Sequence, residues 1–409
     1  MGWPREVTEH PLDDARRSAT DHPGRGQLVW AVTFGVAIAV QAYAFGFSAG
    51  RFEVLVVAQA LMPLVAVAAF VTCEGVRHLN GRAYALAAGL TLVLWLLLLP
   101  NVVGDERWDA SPATIVAHVI GLSSMLVAAA WAVTNLSAER IFATTAWALT
   151  PLIMAVLWIS NADAGLVRST PLDIHPNWWG ELSLAFALCL LCLRGHFRWP
   201  LMSAAFLLVY RVQSRSSLLG ICAGILVYAG MVSLPRWKGN PRAIAAVAGA
   251  VLAAVFLGAT VSEESDVAQF VMHKVLLVDD QHRGVGTGLT ARMDGYQEAL
   301  AAFYENPVFG RGLDTLADVH NGYLRLAGEG GLILLCGVMW LTIAALVRAL
   351  KGGYTIAASV LVAYLVYVAF QPRMLNMNVA SVVFFVALLS SFAPRPGCAL
   401  TPRIQSKCA

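Results

Sequence analysis

Twelve apolar stretches of roughly membrane-spanning length, near 28–48, 53–72, 84–100, 113–134, 141–159, 178–194, 199–213, 216–234, 243–261, 328–349, 354–371 and 378–393, occupy most of this 409-residue chain. A hydrocarbon core about 30 Å thick is crossed by about 20 helical residues. Inside it, backbone N–H and C=O groups find no water and must bond within the segment. Repeated stretches of this length therefore impose a bundle of helices. With 58% apolar and only 13% charged residues, the chain cannot coat a soluble globule, whose apolar share is nearer 45–50%. The expected fold class is an all-α polytopic membrane protein with about twelve transmembrane helices. The seventh stretch is short, and "YRVQSRSS" (210–217) fits either a break within the bilayer or a turn.

Twelve spans put both ends on one side, and Lys/Arg bias chooses it. Short segments on one side hold seventeen Lys/Arg against six on the other, so both termini are expected in the cytoplasm. The chain then divides into a cytoplasmic tail (1–26), a nine-span bundle (27–261), an outer loop (262–327), three further spans (328–393) and a second tail (394–409). The first 26 residues lack the apolar core and cleavage site of a signal peptide. A connection as long as 262–327 points to function rather than linkage. Within it, Leu289, Met293, Tyr296, Leu300 and Phe303 recur at helical spacing, which predicts an amphipathic helix along the outer membrane-water boundary. No basic block suggests nucleic acid. The seven cysteines lie in spans or cytoplasmic segments, so no disulfide is expected. Cys189 and Cys192 read as packing residues.

On this topology the unusual polar residues collect outside, in "DIHPNWWGE" (173–181), "YRVQSRSSLLG" (210–220), the loop, and "FQPRMLNMN" (370–378). Arg211 and Arg215 are four apart, on one face if that segment is helical. Each offers a planar fork suited to phosphate oxygens, and with Arg292 and Arg373 they could clamp a pyrophosphate at the membrane surface. An unperturbed imidazole titrates near neutral pH, and His320 precedes a membrane-length apolar run, although a lone His beside Asn is often structural. Asn321 and Asn177 are supporting candidates. Glu181 and Glu329 stand at span entrances, where facing water is their ordinary fate. "GRG" (310–312) is too short to mark a phosphate loop, and no cluster has metal-ligand spacing. A twelve-span transporter or lipid-linked oligosaccharide flippase is the alternative, but it calls for polar groups near mid-bilayer.

The order "HPNWWG", "QSRSSLLG", "ARMDGYQEAL…NPVFGRGL", "VHNGYLRLAGEGGL" resembles the O-antigen ligase and polysaccharide polymerase family of bacterial membrane glycosyltransferases, over roughly 173–393. The resemblance implies a GT-C-like fold in the inner membrane, with the long loop periplasmic and covering a cavity. It implies a glycan donor on undecaprenyl pyrophosphate, and an acceptor that is a lipid-linked repeat unit or lipid A-core. It also implies inverting, metal-independent transfer without a cofactor. Mapped residue by residue, Arg215 and Arg292 would bind the donor pyrophosphate, with Arg211 supporting, and His320 would serve the acceptor.

Overall fold

The computed structural model describes residues 25–47, 52–72, 81–96, 112–162, 171, 176–233, 288–313, 315–316, 319–371 and 378–393. Among them are twelve α-helices and no strand. They are α1 (Arg25–Phe47), α2 (Phe52–Thr72), α3 (Gly81–Leu96), α4 (Pro112–Asn135), α5 (Ala138–Ala162) and α6 (Pro176–Leu190). Then follow α7 (Arg198–Val212), α8 (Arg215–Ser233), α9 (Gly288–Glu305), α10 (Gly322–Gly352), α11 (Thr355–Val368) and α12 (Val379–Ser390). Eleven of the apolar stretches coincide with helices, and α9 is the predicted loop helix. The stretch 243–261, both tails and most of the loop before α9 lie outside the described residues.

Three helices, α5, α8 and α10, contain segments long and apolar enough to cross a membrane by length and composition. Their surfaces suit lipid: Trp158 is 81% exposed and Trp340 69%, exposure that would be costly in water for a large apolar patch. Hydroxyls within the helices are turned back onto the preceding turn. Thr134, Thr145, Thr150 and Thr342 donate to the carbonyls of Ala130, Ile141, Ala146 and Val338 at 2.7–2.9 Å. These four hydroxyls are thereby satisfied within an apolar environment.

Small residues set the crossings, because lipid tails give helices no hydrophobic reason to associate and close backbone approach must supply it. Gly35 of α1 lies against α5, where an added Cβ would stand 2.7 Å from Thr144 Cβ. Gly220 and Gly224, one turn apart on α8, face α11 and α6. A Cβ at Gly220 would meet the Ala363 carbonyl at 3.0 Å, and one at Gly224 would meet Leu188 Cδ2 at 2.7 Å. The helix α12 is buried along almost its whole length. It packs against α4, α6 and α11, with lesser contacts to α1, α3, α5 and α10, and so occupies the centre of the bundle.

The structure changes two expectations about the outer segments. The helix read from the apolar run at 328 begins at Gly322 and is broken at Gly331 (φ 60°, ψ −159°). The predicted apolar face of α9 is also only partly the face it buries, with Tyr296 and Phe303 half-buried. Gly295, Ala299 and Ala302 are buried, whereas Leu300 is exposed. Ala299 and Ala302 cluster with Leu316 and Val319, with Tyr296 and Leu324 alongside. The small residues win because α9 packs closely on the first segment of α10, where a Cβ at Gly328 would meet the Ala299 carbonyl at 2.9 Å.

Candidate functional site

Five helix ends meet at one end of the bundle: the starts of α6, α8, α10 and α12 and the end of α11. The short connections dictate this. Gln213, in the left-handed region (φ 53°), stops α7, and its backbone N–H and that of Ser214 close the helix onto Tyr210 and Val209. After this turn α8 starts at Arg215. Gly180 of α6 sits directly on the turn, since a Cβ there would stand 2.2 Å from Ser214 Oγ. Ser214 and Ser217 hydroxyls pair at 2.8 Å beneath it.

A polar network joins these ends. The Glu181 carboxylate on α6 accepts from the Tyr367 hydroxyl of α11 and from Asn378 Nδ2 at the cap of α12. Asn378 Oδ1 in turn accepts the Ser381 N–H at 2.8 Å, and the Ser381 and Tyr364 hydroxyls pair at 3.0 Å. Gln371, just past α11, donates to Ser216 Oγ, the residue after Arg215. A Cβ at Gly322 would lie 2.6 Å from Val368 Cγ1, and the Tyr323 hydroxyl donates to the Leu365 carbonyl at 2.6 Å. Through these contacts the backbones of Arg215 and His320 share one end of the molecule.

The predicted residues fall as follows. His320 is half-buried immediately before α10. Asn321 is its N-cap, accepting the Tyr323 and Leu324 N–H groups at 3.0 and 3.1 Å, a role that satisfies otherwise orphaned donors. Arg215 is the half-buried first residue of α8, and Asn177 is half-buried in the first turn of α6. Arg211 and Arg215 do not share a helix face, because the Gln213 turn puts them on different helices. The Arg211 side chain is half-buried, and its Nε makes no hydrogen bond. Arg292 lies on α9, but its side chain is outside the described residues, as is Arg373 altogether.

Both carboxylates read as water-facing behave otherwise. Glu329 is buried and ion-paired with Arg325 one turn earlier, Nε to Oε1 at 2.7 Å. Glu181 is the hub of the network. Tyr364, Tyr367 and Ser381 were not singled out from sequence, and Gln371 and Asn378 only as part of the polar segment 370–378. Two tyrosines one turn apart in an otherwise apolar span were the signal available, since a buried tyrosine hydroxyl needs a partner. The "GRG" and "GEGG" segments also find a purpose: they pair with each other. Arg311 and Gly312 N–H groups donate to the Gly328 and Glu329 carbonyls at 2.9 Å, and Leu332 N–H to the Pro307 carbonyl at 2.8 Å. The loop thereby satisfies backbone groups released where α10 breaks. Arg311 itself is taken up by a two-pronged bond to Glu305, 2.8 Å on each arm, which raises its pKa. Among the described residues no group of three or more His, Cys, Asp or Glu is placed to hold a metal.

Residues 200–339, about a third of the chain, match the family model described as O-antigen ligase. The matched segment contains Arg211, Arg215, Arg292, His320 and Asn321, and excludes Asn177, Glu181 and Arg373. No curated protein matches the chain. The match supports the family resemblance and, in general terms, a membrane glycosyltransferase of O-antigen ligase or polymerase type.

Proposed function

We propose that the protein transfers a glycan from an undecaprenyl-pyrophosphate donor to a sugar hydroxyl at the periplasmic face of the inner membrane. The observation that carries this reading is that one family-matched segment holds both Arg215 and His320, at helix starts that the polar network draws to the same end of the bundle.

In the reaction the acceptor hydroxyl oxygen attacks the anomeric carbon, and the bond from that carbon to the donor phosphate oxygen breaks. His320 takes the hydroxyl proton as general base. Negative charge grows on the departing pyrophosphate, where Arg215 and Arg292 act as planar forks, with Arg211 in support. A single displacement inverts the anomeric centre. Asn321 contributes by starting α10, which fixes the backbone that presents His320.

The test is a reconstituted assay with purified lipid-linked donor. General-base catalysis is worth about 10²–10⁴-fold, so His320→Ala is expected to lower turnover in that range while donor binding survives. His320→Gln keeps hydrogen bonding without a titratable proton acceptor and is expected to fall nearly as far. Arg215→Lys and Arg292→Lys retain charge but lose the fork, and are expected to lose most transfer at unchanged abundance. Wild-type rates in His320→Ala would remove that residue from the mechanism. Polymerase and ligase share the donor side; glycan analysis of a deletion strain separates them. Loss of polymer with single lipid-linked units accumulating marks a polymerase, whereas long polymer left on the carrier marks a ligase.

A further inference from the structure

Two adjoining clefts, of about 510 and 370 Å³, open at the end of the bundle away from the polar network. They lie between the end of α6, the end of α8 and the α10–α11 turn, with the α4–α5 turn and the end of α12 on the second side. Nothing in the proposed transfer reaction uses them. Their size is that of small-molecule sites, about 300–1,000 Å³.

Arg198, in the larger cleft, is held in an unusual way. Its guanidinium carbon is 4.9 Å from the Trp199 ring centroid and 4.8 Å from that of Tyr228. Its Nη1 donates to the Tyr228 hydroxyl at 3.2 Å, and its Nε is buried without a hydrogen-bond partner. No carboxylate holds it among the described residues, so two aromatic faces orient a cation that retains hydrogen-bonding capacity. Orientation in advance lowers the cost of binding an anion. Arg194 is exposed on the α6–α7 turn and lines the same cleft. Glu139, in the first turn of α5, lines both clefts. Around the mouth stand Phe197 and Trp199, 71% and 64% exposed, and Phe197 meets exposed Trp147 edge-on at 6.3 Å. Exposed aromatic rings at one end of a bundle of apolar helices belong at headgroup depth.

The cleft therefore presents both signs of charge at the level where phospholipid headgroups lie. We propose that it binds the headgroup of a phospholipid bearing both a phosphodiester and a primary ammonium, with the phosphate on Arg198 and Arg194 and the ammonium on Glu139. An anionic headgroup without an amine would satisfy the arginines but leave Glu139 without a cationic partner. A quaternary ammonium would carry no N–H to donate to it.

Native mass spectrometry of the delipidated full chain, with phosphatidylethanolamine, phosphatidylglycerol or phosphatidylcholine added separately and inorganic phosphate then added to the lipid-bound chain, tests this. Wild type is expected to retain phosphatidylethanolamine over the other lipids. Loss of a charge-assisted hydrogen bond should lower that retention about tenfold in Arg198→Ala. Glu139→Gln is expected to abolish the preference over phosphatidylglycerol while still retaining lipid. If Arg198→Ala does not fold, Arg194→Glu on the exposed turn tests the phosphate side. Equal retention of the three lipids by wild type, unchanged preference in the variants, or displacement of lipid by millimolar inorganic phosphate would each overturn the proposal.

Discussion

Glu181 accepts from the Tyr367 hydroxyl and from Asn378 Nδ2, so one carboxylate on α6 holds the facing ends of α11 and α12. A hydrogen bond to a charged group is worth about 1.5–3 kcal/mol, and both donors lose their partner if the carboxylate is removed. Glu181→Ala is therefore expected to lower the thermal midpoint of the detergent-solubilised protein, and Tyr367→Phe to lower it less. The double variant should fall short of the sum, with a coupling of about 0.5–3 kcal/mol; strict additivity would show that the contact contributes nothing. The residue scale is also where the sequence was least legible. His320 and Arg215 announce themselves by type and setting, but Glu181 does not, because whether a carboxylate at a span entrance meets water or two donors depends on helices nearly two hundred residues away. The Arg211–Arg215 pairing failed for a local reason. It assumed continuous helix, and Gln213 adopts a left-handed backbone that ends one.

α10 shows how a helix can be read correctly in kind and wrongly in extent. Its apolar run from 328 onward is plain in the sequence, but the capped segment that precedes it, from Gly322, resembles the end of the loop. What makes it helical is the Asn321 cap together with burial against α9, neither of which leaves an apolar period. The break is sharply position-specific. At Gly331 the backbone takes a conformation that only glycine adopts readily, and a Cβ would stand 2.4 Å from the Val308 carbonyl carbon and oxygen. Gly337, two turns on in the same helix, has nothing within 4 Å. Gly331→Ala is expected to cost at least about 1–3 kcal/mol, while Gly337→Ala should stabilise by up to about 1 kcal/mol, the usual helix-interior difference. Thermal unfolding of the two variants side by side checks this, and a shift of the same sign in both would show that the break is not maintained. α9 teaches the complementary point. Its large apolar residues drew attention, but close packing selected the Gly295, Ala299 and Ala302 stripe instead.

For the molecule as a whole, the all-helical class was legible because membrane length and backbone satisfaction leave few choices, as α1 through α8 illustrate. Sidedness rests on charge bias, seventeen Lys/Arg against six, and is open to direct measurement. In a background with native cysteines replaced, Asn306→Cys, exposed after α9, is expected to react with an impermeant thiol reagent in intact spheroplasts. His196→Cys, exposed on the α6–α7 turn at the other end, should react only after lysis. The reverse pattern would invert the topology and move the proposed chemistry to the cytoplasm.

The helix at the centre of the bundle, α12, is also the last of the described helices to leave the ribosome. Helices made first must therefore wait, already in the bilayer, for the segment around which they close. Until α12 inserts, Glu181 has no Asn378 to hold, and the faces of α4, α6 and α11 that meet it are open to lipid or to chaperones. Maturation of the polar end thus waits until α12 has been made, and a chain stalled before residue 378 would carry its family-matched segment without the helix that completes its setting.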